Sequence, residues 1–221
     1  MKKFNAVSIF ICILSMCLHS EIMAEQPAYL TNLSNGFGPF DYTNPATWKH
    51  IDVVEKYHFD EGVKTFRRGL NGSVWSDITY TLRAFPNHHP ALDAMSRLLE
   101  QKDSAMSYEK RSKLFYLMPK SVTADAYFEK AIKFAPTDPM THLLFGIHLH
   151  KQKKYKSALK QYKAAENLGL LSADLFYNLG LVYIELGETD NALKSAKKAY
   201  GLGHPLMGLK KKLTKLGAWK K

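Results

Sequence analysis

Residues 139–172 and 173–206 match one another at a constant spacing of 34 residues, without a gap. Gly146 falls on Gly180, Ala158 and Leu159 on Ala192 and Leu193, Ala165 on Ala199, and Leu168-Gly169 on Leu202-Gly203. Apolar or aromatic residues hold three further shared places: Phe145 with Leu179, Ile147 with Leu181, and Leu149 with Tyr183. Self-similarity at a period of about 20–50 residues marks a stacked array, because a unit that small cannot bury its apolar face alone and closes it against the next copy. That requirement restricts the fold more than composition does.

Each copy divides into two helical segments, "PMTHLLFGIHLHKQ" with "YKSALKQYKAAENLG", then "ADLFYNLGLVYIELG" with "TDNALKSAKKAYGLG". Glycine and alanine at the shared positions let two helices approach closely while larger side chains fill the groove beside them. In "LFYNLGLVYIELGETDNALKSAKKA" the large and small places are Phe176, Leu179, Gly180, Tyr183, Ala192 and Ala199. On these residues the sequence resembles the tetratricopeptide repeat (TPR) family. The resemblance implies an all-α, helix-turn-helix repeat solenoid, TPR-like, with an N-terminal helical cap and a C-terminal capping helix. It also implies a noncatalytic, protein-binding role. The pattern is similar to that of exported bacterial proteins built from such repeats.

Carried backwards at the same spacing, "ADAYFEKAIKFAPTDP" fits a second helix, with Ala124, Phe128 and Ala131 in the packing places and Pro136 at its end. Its first helix fits "ALDAMSRLLEQ", with Leu92, Met95, Ser96 and Leu99 facing the core and an insertion near 101–119 between the two. Pro86 then takes the place of Pro136, so that "FPNHHP" is an inter-repeat junction equivalent to "APTDP". Asn87 is expected to cap the following helix, with Pro90 in its first turn, where a missing N–H costs nothing. Upstream, "WKHIDVVEKYHF" places Trp48, Ile51, Val54 and Tyr57 or His58 on one face, Asp60 is a candidate cap for "DEGVKTFRRG", and another helix is expected from Ser76. The organisation expected is an arm over 25–47, an N-terminal helical region over 48–86, an atypical repeat over 87–138, repeats over 139–172 and 173–204, and a basic capping helix over 205–221. That last helix is expected to place Leu206, Leu209, Leu213 and Leu216 on one stripe; contact of its lysines with an anionic membrane surface is its alternative use.

The first 24 residues have two lysines, an apolar run from Ala6 to Leu18 and a polar stretch ending at Ala24, the layout of a secretory signal peptide cut after Ala24. Export to the periplasm, or secretion, is the expectation. Both cysteines, Cys12 and Cys17, lie in this leader, so the remaining chain can form no disulfide and no thiolate chemistry. Residues 25–138 carry 14 Lys and Arg against 14 Asp and Glu, and residues 139–221 carry 15 against 5, which puts the whole basic excess on the clear repeats. Such a face favours acidic partners, and in an exported protein nucleic acid is not expected among them.

In a first helix of this kind one side packs on its own unit and the other lines the partner-binding concave face. The positions concerned are Met140, Leu143, Ile147, His150 and Lys151, then Asp174, Tyr177, Leu181, Ile184 and Glu185. Their apolar members need cover. A protein or peptide partner, acidic or apolar, a second copy, or the arm "AYLTNLSNGFGPFDYTNP" with Tyr29, Leu30, Phe37, Phe40 and Tyr42 could supply it. No nucleophile elbow, phosphate loop or zinc-protease helix occurs, and the sequence calls for no cofactor. The expected function is a noncatalytic exported adaptor in a cell-envelope complex such as pilus, secretion or surface-polysaccharide machinery. The alternative is an envelope hydrolase or metal-binding protein with its site around His88 and His89.

Overall fold

The computed structural model describes residues 36–220, so the leader and the beginning of the arm, with Tyr29 and Leu30, lie outside the described residues. The described chain is a helix-turn-helix solenoid. Its helices are α1 (Trp48–His58), α2 (Glu61–Lys64), α3 (Val74–Ala84), α4 (His89–Leu99), α5 (Tyr108–Phe115), α6 (Ala124–Phe134), α7 (Pro139–Lys151), α8 (Tyr155–Asn167), α9 (Ala173–Glu185), α10 (Thr189–Gly201) and α11 (Gly208–Lys215). The tightest pairings are α7 with α8 and α9 with α10, the two helices of each clear unit. First helices also touch along the array, α4 against α7, α7 against α9 and α9 against α11.

Close packing within a unit follows from its glycine. A Cβ at Gly146 would stand 2.4 Å from the ring of Tyr162, which is itself fully buried. Two residues carry the same contact in the next unit. Ala196 occupies the place of Tyr162, and Leu209 of α11 comes to 2.4 Å from where a Cβ of Gly180 would lie. Leu209 and Leu213, both fully buried, stand 34 residues after Leu175 and Leu179, so α11 occupies the register of a further first helix. Leu206 and Leu216 do not share its buried stripe. They are 60% and 55% exposed, because the helix begins after the one and ends before the other.

At the other end α1 packs on α3, and its only fully buried residue is Val54. Trp48 and Tyr57 are 55% and 52% exposed, so the face expected to be buried is narrower than its spacing suggests. Asp60 caps α2 by accepting the Val63 N–H at 3.0 Å. Helix α3 starts two residues before Ser76, at Val74, because Ser73 Oγ accepts the Ser76 N–H. The insertion between α4 and α6 carries a helix of its own, α5, which buries Leu114 and Phe115 and packs on α3.

The expected Asn87 cap is replaced by His88, whose Nδ1 accepts the Ala91 N–H at 3.2 Å. Asn87 cannot serve, since its side chain is taken by the arm and by the second junction: Oδ1 accepts the Tyr42 N–H, and Nδ2 donates to Asp41 at 2.8 Å and Asp138 at 3.1 Å. Pro90 lies in the first turn of α4.

Candidate functional site

The first-helix face is built from α4, α7, α9 and α11 standing side by side. Along it Met140, Ile147, Tyr177, Leu181 and Ile184 are half-buried, flanked by neighbouring first helices rather than left open. Leu143 does not belong to this surface. It is 3% exposed and part of the main core, because α4 closes over that side of α7. Tyr177 stacks on His204 with ring centroids 3.8 Å apart.

Charged residues of the same set form rungs between successive first helices. Lys151 pairs with Glu100 at the end of α4 at 3.5 Å, and Glu185 pairs with Lys212 of α11 at 2.8 Å. The Lys212 ammonium holds the Glu185 carboxyl below its usual range. His150 is half-buried beside this second rung; burial pulls its pKa down, the Glu185 charge raises it and Lys212 lowers it further. Asp174 is exposed, 3.4 Å from His204 Nε2. An apolar strip bracketed by polar rungs suits an extended or helical segment with a hydrophobic side and polar edges.

The described part of the arm is elsewhere. Phe37, Phe40 and Tyr42 pack with Val54, Ala84 and Phe85, and Phe40 N donates to Ala84 O at 2.8 Å. The aromatic residues of residues 36–47 therefore cover the α1–α3 end, because Asn87 anchors Tyr42 there.

His88 and His89 hold this end together without converging on one point. His88 is fully buried under the Tyr42 ring, with Nε2 3.1 Å from Glu55 Oε1, close in distance but out of line for a hydrogen bond. Its Nδ1 accepts a backbone N–H, so the ring is neutral with its proton on Nε2, and burial pulls its pKa down against the raising influence of Glu55. His89 Nε2 donates to Asp138 Oδ2 at 2.7 Å. Asp138 caps α7 through the Met140 and Thr141 N–H groups, and although burial opposes ionisation, His89, Thr141 and Asn87 together hold its pKa at about 2. The two junctions are thus tied to each other and to the arm. Among the described residues no group of three or more His, Cys, Asp or Glu side chains is gathered as a metal site.

A Ser-His-Asp chain lies between α4, α6 and α7. Ser96 Oγ is 2.8 Å from His148 Nδ1, and His148 Nε2 is 2.8 Å from Asp125 Oδ1. Asp125, held by His148 and against the cost of burial by Lys154 as well, has its pKa drawn to about 2. A cleft of about 460 Å³ lined by Leu99, Lys102, Val122, Asp125, His148 and Lys154 opens beside it. The order is wrong for nucleophilic catalysis, in which the serine must face the substrate. Here the carboxylate lines the cleft and Ser96, 4% exposed, is sealed at the inner end. The chain staples three helices. The spacing of 52 residues between Ser96 and His148 gave no local signal for it.

Comparison with known proteins agrees with this geometry. The tetratricopeptide repeat model matches residues 173–202. A 115-residue stretch, 52% of this chain, is 30% identical to 11% of the human protein O-mannosyl-transferase TMTC3. A 120-residue stretch, 48% of this chain, is 24% identical to 32% of the regulatory protein RapK of Bacillus subtilis (strain 168). The chain thus spans about a tenth and about a third of the curated relatives it matches. It is a TPR-like helical-repeat domain distantly related to a eukaryotic and a bacterial protein. Folds of this class typically bind rather than catalyse, and among the described residues no helix is long and apolar enough to cross a membrane.

Proposed function

We propose that the protein is an exported adaptor that holds a partner protein against the first-helix face of α7, α9 and α11, in the assembly or support of a cell-envelope complex such as pilus, secretion or surface-polysaccharide machinery. The observation that carries this reading is the half-buried strip of Ile147, Tyr177, Leu181 and Ile184 between the Lys151–Glu100 and Glu185–Lys212 rungs. Apolar surface with polar edges binds by excluding water from its centre while the rim sets orientation. The signal-like leader supports export. Junction histidines that serve as cap and staple, and a serine sealed from the neighbouring cleft, favour the adaptor over the hydrolase or metal-binding reading.

Photo-crosslinkers placed at Ile147 and Leu181 should each trap the same discrete protein in intact cells, and one placed at Lys160 on α8 should not. Equal capture from all three positions would remove the assignment of this face. N-terminal sequencing of the protein from its native host should begin at Glu25; a chain retaining residues 1–24 would remove the export part of the reading.

A further inference from the structure

Second helices of successive units lie beside one another, and the charges between them differ from groove to groove. Between α8 and α10, Glu166 accepts from Lys163 at 2.5 Å and from Lys198 at 3.2 Å, so an acid on one helix neutralises a base on the next. The repeat spacing carries Lys198 back by two units to Lys130 on α6. The preceding second helix there is α3, tied to α6 by the 2.9 Å contact of Thr79 Oγ1 with Tyr127 Oη. Aligning Pro86 with Pro136 brings Arg83 to Lys133 and, one unit further, to Asn167, the neighbour of Glu166. Lys130 therefore meets an arginine where its counterpart meets a carboxylate.

Nothing else among the described residues supplies the missing charge. Arg83 and Lys130 are both half-buried, and no carboxylate among the described residues pairs with either. The Nε of Arg83 is buried with no hydrogen-bond partner, while its guanidinium lies 5.6 Å from the Tyr80 ring centroid. Burial and the Arg83 charge together pull the Lys130 pKa down to about 8. Two cations desolvated side by side are unfavourable, and an unpaired buried donor adds to the cost. A planar guanidinium next to an ammonium is the donor set that recognises a carboxylate or phosphate oxygen.

We infer that Arg83 and Lys130 form a binding site for an oxyanion, a carboxylate or phosphate group, in the groove between α3 and α6. The site is separate from the first-helix face and does not depend on the adaptor reading. Occupied, it completes for this groove the neutralisation that Glu166 gives the groove between α8 and α10.

The test measures thermal unfolding of the full chain with inorganic phosphate, or with a short glutamate peptide, replacing chloride at constant ionic strength. One or both anions should raise Tm by about 2–4 °C when several-fold above the dissociation constant, saturably. The rise should vanish in Lys130→Met and Arg83→Met and persist in Lys198→Met. A response to phosphate alone identifies a phosphate source, and one to the peptide alone a carboxylate source. Without added anion, Lys130→Met should unfold no lower than the parent, since it removes like-charge repulsion. Should either variant misfold, the Lys130 ε-methylene NMR signal of the parent chain gives the answer, moving on anion addition. No Tm rise with either anion, a rise that survives both variants, or an unmoved Lys130 signal overturns the proposal.

Discussion

Gly146 and Gly180 hold the same place in two units, yet an added methyl group would meet different things there. At Gly146 it would strike the ring of Tyr162, which is buried on all sides and has nowhere to turn. Gly146→Ala should therefore cost about 1–3 kcal/mol, the range for overpacking a well-filled core. At Gly180 the nearest atom is a terminal methyl of Leu209, which can rotate, so Gly180→Ala should cost less. Urea unfolding of the two variants checks the order; a larger loss at Gly180 would contradict it. These glycines were readable from the repeat spacing alone. The His88 cap was not, because it depends on Asn87 being engaged by Asp41, 46 residues away, and by Asp138, 51 residues away. No local propensity distinguishes two good capping residues when tertiary contacts decide between them.

Helices legible in the sequence were those whose apolar period is repeated, from α6 to α11. Helix α5 escaped notice because only Leu114 and Phe115 are buried in it, too few to produce a helical period. The membrane-surface role considered for α11 loses its apolar footing, since Leu209 and Leu213 are fully buried against α9 and α10. Either leucine changed to alanine should lower stability by about 2–5 kcal/mol. In a solenoid each unit leans only on its neighbours, so the loss should be local. Hydrogen exchange in Leu213→Ala should accelerate in α9, α10 and α11 while α3 and α4 keep their protection; uniform acceleration would show a single cooperative core.

For the whole molecule, acid should act in two stages, and the sign of each follows from the groups concerned. His88 has a folded pKa below its ordinary value, so the unfolded chain takes up its proton first and stability falls as pH drops below about 6.5. Asp125 and Asp138, held at about 2, contribute stability that is complete above the unfolded carboxylate range and is lost as pH falls from about 4 towards 2. Urea midpoints followed from neutral pH to pH 2 should decline through both windows. Asp138→Asn should flatten the lower one, and an unchanged profile in that variant would refute the assignment. Both stages act on contacts that join α1, the two junctions and α7. Acid should loosen that end of the array before the other.

A stacked array has two ends, and stacking alone does not say where it stops. Taken back by 34 residues, Lys210, Lys211 and Lys215 of α11 fall on Phe176, Tyr177 and Leu181, so three lysines stand where another unit would have found its footing. Trp48, Val53 and Tyr57 lie about half exposed at the opposite end. Restoring the aromatic and aliphatic residues in Lys210→Phe, Lys211→Tyr and Lys215→Leu together should let copies join head to tail, a contact that does not close and so runs on into filaments. Sedimentation would show species growing with concentration in that variant and none in the parent. Three charges at one terminus thus keep a chain made of repeats from behaving as a monomer unit of a polymer.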